Sequence, residues 1–292
     1  MDAVITYVNG LDPVWQESYA RATNVPVLTK RYRDWGTLKY LLRGIETCLP
    51  FIRNVYLVVS SDSQVPQWAD RSVLHVIRHE DIIPADHLPL FNSASIEMFL
   101  HRIPGLDEKY LYFNDDFFPV SECREDEFFE GDKAVTHYAR HILATNLYKR
   151  QVKASDAFAR KAAGLGPSPL FLRPQHICAP MIRSLCEQLY FAHEQEILAR
   201  VSPLREPYNL CQYVFSDYFM HLGRAVDRRI SNTHFSLAAS SVSSIVSFLS
   251  NPSTHFACIN DVTMPDDKFR YCQEAVLGAF GSRFPVKSRF EL

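Results

Sequence analysis

No apolar run in this sequence approaches the roughly 20 residues that cross a bilayer. The longest, such as Val55 to Ser60 (VYLVVS), are the size of a strand. No charged-then-apolar leader opens the chain either, so the expectation is a cytoplasmic protein. Excess charge is also missing. A formal net charge of -2 and an isoelectric point near 6.6 leave no basic field, which argues against nucleic acid as a partner. The seven cysteines, at 48, 123, 178, 186, 211, 258 and 272, form no C-x-x-C pair. Their odd count argues against a disulfide framework and predicts mostly reduced core residues. No internal repeat is present. The serine-rich stretch from Ser231 to Thr254 is no linker, because Phe235, Leu237, Val242, Ile245, Val246, Phe248 and Leu249 make it apolar enough to pack.

What is present begins with 292 residues at 47% hydrophobic content, enough to bury a full core in one large domain or a domain with an insertion. DAVITYVNG reads as a strand buried on both faces and ended by Asn9-Gly10. TLKYLLRGIETCLP places Leu38, Leu41, Leu42, Ile45 and Leu49 at helical spacing from a start near Asp34, and Pro50 stops it. Strands at NVYLVVSSD and VLHVIRH, a helix at SASIEMFLHRI and a strand at KYLYFN follow. This alternation predicts an α/β fold with a Rossmann-like, mainly parallel sheet and ligands outside the carboxyl ends of its strands. After about Gly131 one short strand signal is followed by mainly helical spacing up to the Gly164 to Pro167 break, and the stretch from Gln175 to Gly223 is again mostly helical. The expected division is a Rossmann-like core over 1–130, a mainly helical insertion over 131–225, and a return to the core over 226–292.

The stretch KYLYFNDDFFP is the most pointed chemical signal. Asn114, Asp115 and Asp116 follow a strand in an apolar neighbourhood, and a buried carboxylate requires a metal, an arginine or a proton nearby. The pair could ligate Mg²⁺ or Mn²⁺, or supply a base toward a hydroxyl, or simply cap backbone amides in a turn. Asp2, Asn9 and Asp12 around the first strand could contact a nucleotide or metal, although NGLDP alone is more often a turn. Lys30, Arg31, Arg33, Lys39 and Arg43 surround a helix start suited to phosphate, against a default of a solvated charged face. His137 and His141, four apart, would share one face of a helix and could hold a metal, but no third ligand accompanies them. Asn260 and Asp261 in ACINDV repeat the Asn-Asp pairing.

Taken in order, four blocks resemble the Stealth family of sugar-phosphate transferases, which includes bacterial capsule polymerases and the animal enzyme that tags lysosomal glycoproteins. The first block is DAVITYVNGLDPVW. The second runs from RYRDWGTLKYLLRGIE through VYLVVSSD, VIRHEDIIP and LPLFNSASIE to YLYFNDDFF. HICAP with the helical stretch up to Arg205 is the third, and CIND the fourth. The resemblance implies transfer of a hexose 1-phosphate, commonly from UDP-N-acetylglucosamine, to a hydroxyl of a glycan acceptor, releasing UMP and forming a phosphodiester. It also implies Mg²⁺ or Mn²⁺, and peripheral association with a membrane polysaccharide assembly complex. Carried over position by position, Asp116 would be the general base, with Asp115 as alternate. His176 would shuttle a proton or stabilise the phosphoryl oxygens, and Arg205 would offset developing charge. Asp115, Asn260 and Asp261 would bind metal. Arg31, Arg33, Asn92 and Asn114 would line the donor site, and Asp2, Asn9, Gly10 and Asp12 would complete its nucleotide end. The chain lacks the long insertions of the animal enzymes, which favours a compact bacterial polysaccharide enzyme. The rival readings are a metal-dependent glycosyltransferase releasing UDP, whose usual Asp-x-Asp differs from the adjacent pair here, and a non-catalytic glycan-binding module.

Overall fold

The computed structural model describes residues 1–24 and 32–292, so Lys30 and Arg31 lie outside the described residues. The opening apolar run forms β1 (Asp2–Thr6). Asp12 caps α1 (Pro13–Thr23) by accepting the Val14 N–H at 3.0 Å. In α2 (Leu38–Cys48), Leu38, Leu41, Leu42, Ile45 and Cys48 are buried, the face that the spacing predicts. The helix starts after Thr37 and not at Asp34, whose carboxylate closes a turn by accepting the Gly36 N–H at 2.8 Å. Next come β2 (Val55–Val59), β3 (Leu74–Arg78), α3 (His79–Ile82), α4 (Ser93–Glu97), β4 (Lys109–Asn114) and β5 (Phe117–Pro119).

The middle of the chain holds β6 (Phe129–Glu130), β7 (Lys133–Thr136), β8 (Tyr138–His141), α5 (Leu147–Ala162), β9 (Phe171–Pro174) and β10 (Ala179–Ile182). It continues through α6 (Arg183–Ala192), α7 (Glu194–Leu198), α8 (Tyr213–His221) and β11 (Ala225–Asp227). The last part holds β12 (Asn232–Ser236), α9 (Val242–Ser250), β13 (Phe256–Asn260) and α10 (Asp266–Arg283).

The main sheet has the order β10-β4-β1-β2-β3. Its strands β1 to β4 are mutually parallel, and β10 runs antiparallel along β4. The order 4-1-2-3 is that of a Rossmann-like half-sheet, and its direction of winding reverses between β1 and β4. Ligands bind outside the carboxyl ends of the strands at such a reversal. Thr6 and Asn114, opposite one another at those ends, mark the place.

Asp115 and Asp116 form the two-residue turn that takes the chain out of this sheet into a second one, ordered β12-β13-β5. There Cys258 lies opposite Phe117, and the Ile259 N–H donates to the Asp116 carbonyl at 3.0 Å. NDD and CIND, about 145 residues apart in sequence, are thus neighbours across a strand pair. Helix α2 lies directly on β5: a Cβ added at Gly44 would stand 2.5 Å from the Pro119 carbonyl oxygen.

Two expectations change. The segment after Gly131 adds strands to its helices, and β8 pairs antiparallel with β9. His137 and His141 therefore lie along extended backbone, about 13 Å apart at strand rise, and not on one helix face. His137 Nδ1 pairs with Asp227 at 2.8 Å, and His141 Nε2 accepts from Arg173 Nε at 3.0 Å. The basic cluster also divides. Arg43 makes a two-pronged ion pair with Glu291 and donates to the Phe284 carbonyl, which ties α2 to the C-terminal segment.

Candidate active site

A cavity of about 1030 Å³ opens at the carboxyl ends of β1 and β4. Its wall includes Asn114, Asp115 and Asp116 from the β4–β5 turn, Asn260 and Asp261 from the end of β13, and His176 from the loop before β10. Arg33 and Arg205 also line it. Strand pairing fixes the first two groups relative to each other. His176 is held by Tyr213, whose hydroxyl lies 3.0 Å from Nδ1, and by the edge of the Phe117 ring, 4.7 Å between centroids.

Arg205 reaches the cavity from the loop between α7 and α8, and its Nη2 donates to Ser93 Oγ at 2.8 Å. That loop is pinned from below by Asn92. Fully buried, Asn92 donates to Asn209 Oδ1 (2.9 Å), Ser95 Oγ (3.0 Å) and the Ser202 and Leu204 carbonyls (3.4 and 3.3 Å), and its Oδ1 accepts the Ala94 N–H. Asn92 therefore sits outside the cavity wall and places Arg205 within it.

Charge at the site is unbalanced toward acid. Burial, with the neighbouring carboxylates of Asp116, Asp34 and Asp261, pushes Asp115 up to about 7. Burial pushes Asp116 up to about 6, against its own backbone, the Cys258 thiol and the Arg205 charge. Asp261 is likewise raised by burial, opposed by Trp35, the Val262 N–H and Arg33. Asp116 keeps one oxygen, Oδ1, buried with no hydrogen-bond partner. Such an oxygen is costly unless a proton, a cation or a bound hydroxyl meets it. Burial, His234 and Arg173 push His176 down to about 4, so its imidazole is neutral near pH 7.

The remaining sequence candidates lie elsewhere. Asp2 is buried at the opposite, amino end of β1, where it accepts from Asn54 Nδ2 and the Asp107 N–H at 3.0 and 2.9 Å. Asn9 and Asp12 are bound into a turn with Gln64 and Ser63. Gly10 is pressed against the next segment, where a Cβ would stand 2.3 Å from the Tyr32 carbonyl oxygen. None of these four lines the cavity. Gly10 instead allows the approach of the segment that brings in Arg33 and Asp34. Arg33 itself is paired with Asp266 and lies over the Phe269 ring.

Sequence reasoning missed several cavity residues: Tyr7, Asp34, Glu97, Arg173, Gln212, Tyr213 and His234. Glu97 is the most unusual. Burial pushes it up to about 7, against the Gln212 N–H that bonds Oε2 at 2.7 Å, the Arg205 charge and Tyr112. The Tyr112 hydroxyl links it onward to Asn114 Oδ1 at 2.8 Å. An acid in the apolar helix run SASIEMF was the available signal.

The model of the Stealth protein CR2 family, conserved region 2, matches residues 31–137. Among curated proteins, capsular polysaccharide phosphotransferase WcwK of Streptococcus pneumoniae is 29% identical over all of this chain and 99% of its own length. Receptor polysaccharide phosphotransferase WefC of Streptococcus oralis is 40% identical over 45% of this chain and 42% of its own. A capsular polysaccharide phosphotransferase of Actinobacillus suis is 30% identical over 68% of this chain and 57% of its own. Of solved structures, galactosyltransferase LgtC with donor and acceptor sugar analogs aligns with 99% of this chain and 98% of its own at 12% identity. Its TM-score of 0.39 is too low to bear on the chemistry.

Proposed function

The chain belongs to the Stealth family of phosphotransferases, and from that premise we propose that it transfers a hexose 1-phosphate from a nucleotide sugar to a hydroxyl of a glycan acceptor in surface polysaccharide synthesis. UDP-N-acetylglucosamine is the proposed donor and UMP the proposed leaving group. One observation carries the reading: Asp116 from one sequence block and His176 and Arg205 from another face one cavity in which Asp116 retains an unpartnered oxygen. At about 1030 Å³ the cavity has room for a nucleotide sugar and part of an acceptor.

In this mechanism the acceptor hydroxyl attacks the sugar-bearing phosphorus, and the bond from that phosphorus to the bridging oxygen of the diphosphate breaks. Asp116 takes the hydroxyl proton through its free oxygen. Arg205 faces the phosphoryl oxygens as charge moves to the leaving phosphate. His176, neutral and oriented by Tyr213, supplies a hydrogen bond and not a positive charge. The oxygen donors Asp115, Asn260 and Asp261 suit a hard cation, which would offset the burial and the carboxylate repulsion that raise Asp115. Mg²⁺ or Mn²⁺ held there would neutralise diphosphate charge.

The test is the identity of the released nucleotide. The protein is incubated with UDP-N-acetylglucosamine and other nucleotide sugars plus a panel of glycan acceptors. UMP is then separated from UDP, and the product is examined for a phosphodiester phosphorus resonance. UMP with retained sugar phosphate is expected. UDP with a plain glycoside would establish a glycosyltransferase, and tight glycan binding without turnover a binding module.

A further inference from the structure

Beside Asp116, just outside the residues that line the cavity, lies a cysteine. Cys258 is fully buried on β13, and its Sγ stands 3.7 Å from Asp116 Oδ2. One ligand atom each from Asp116, His176 and Cys258 lies within 4.8 Å of the others. A zinc ion bound tetrahedrally by sulfur at about 2.3 Å and oxygen at about 2.1 Å separates those two atoms by roughly 3.6 Å. The sulfur and oxygen are therefore already at the spacing of a tetrahedral edge, and only His176 has to close in. Asp116 Oδ1 is buried and unpartnered. The Tyr213 hydroxyl holds His176 by Nδ1 at 3.0 Å, the outer contact that usually orients a ligating imidazole and leaves its other nitrogen for the metal.

We propose that Asp116, His176 and Cys258 form a site for a borderline-soft divalent cation of the zinc type, with its fourth position open to the cavity. It differs in chemistry from the oxygen set of Asp115, Asn260 and Asp261, because a thiolate selects zinc or cobalt over magnesium. Binding exchanges the thiol proton for the metal, so one proton is released per ion. The consequence for activity rests on the reading above: an ion here occupies Asp116 and His176 together and stops transfer.

The full chain, freed of metal and without substrates, is titrated with Co²⁺. One equivalent should produce a thiolate-to-cobalt charge-transfer band that Zn²⁺ removes and Mg²⁺ does not. The band should be lost in Cys258→Ser. It should persist in Cys123→Ser, which disrupts the other described cluster of this kind, Cys123, Glu127 and His255. Zinc-edge absorption of the unmutated chain, independent of any folding defect in a variant, should show one sulfur among nitrogen and oxygen neighbours. No band, a band that survives Cys258→Ser in folded protein, or a zinc shell without sulfur would overturn the site. If the band appears as described but Zn²⁺ leaves transfer unaffected, the site stands and the transfer roles of Asp116 and His176 fall.

Discussion

As the proposed base, Asp116 would have to be ionised to accept a proton, yet its surroundings resist ionisation and lift it to about 6. Below that pH the proton already occupies the base, so kcat/KM should fall on the acid side with an apparent midpoint near 6. Asp115, raised to about 7 partly by Asp116, belongs to the same coupled titration, so the acid limb reports the pair. Asp116→Asn preserves shape and removes the charge. It should lower kcat by about 10²- to 10⁴-fold, the usual contribution of a positioned base. The thermal midpoint should hold or rise, because a raised carboxylate is a stability cost near neutrality. Paired turnover and melting measurements decide this. Near-normal turnover in folded Asp116→Asn would reduce the aspartate to a turn-former.

Between single residues and the molecule stand the loops and strand pairs that hold the site, and here legibility from sequence was uneven. The periodicity of α2 and the apolar runs of β1, β2 and β4 were readable because local spacing and burial coincide. β8 and β10 were not, since four-residue strands are defined by distant partners, Phe171–Pro174 for one and Lys109–Tyr112 for the other. The same limit applied to the site. Polar residues at strand ends in NDD and CIND stood out, whereas Cys258 looks like an ordinary member of an apolar run, and the acid Glu97 in SASIEMF can be noticed but not placed, until partners across the chain are known. Asn92 was legible as a motif residue but not as the anchor of a loop more than 100 positions on. Asn92→Ala should remove the donor to Asn209 Oδ1, which keeps the Glu206 N–H at 2.6 Å, and cost about 0.5–1.5 kcal/mol, the net worth of an intramolecular hydrogen bond. Because Arg205 rides on the freed loop, kcat should drop further than the loss of folded protein explains. Activity normalised to the folded fraction is the measurement, and a normal value would detach Asn92 from Arg205.

For the molecule as a whole, the acid-rich cavity sets how stability varies with pH. Asp115, Asp116 and Glu97 have folded values of about 7, 6 and 7, all raised above ordinary carboxyl values. Groups raised on folding contribute stability that is complete below the unfolded value, near 4, and is lost as pH climbs through the folded value. The cavity therefore pulls stability down between about pH 4 and 7, as each carboxyl ionises in a place that disfavours its charge. A hard divalent cation held in the proposed site of Asp115, Asn260 and Asp261 would oppose this only where the two aspartates are ionised. Mg²⁺ or Mn²⁺ should accordingly raise the thermal midpoint by a few degrees at pH 8, a shift worth about 1 kcal/mol or less in a chain of this size, and by almost nothing at pH 5. Asp115→Asn should remove much of both effects, flattening the decline without metal and blunting the gain with it. Melting curves at the two pH values, in chelator and in excess cation, provide the comparison. An equal cation effect at pH 5 and 8, or one unchanged in Asp115→Asn, would place the ion away from this carboxylate and return the acid cluster to protons alone.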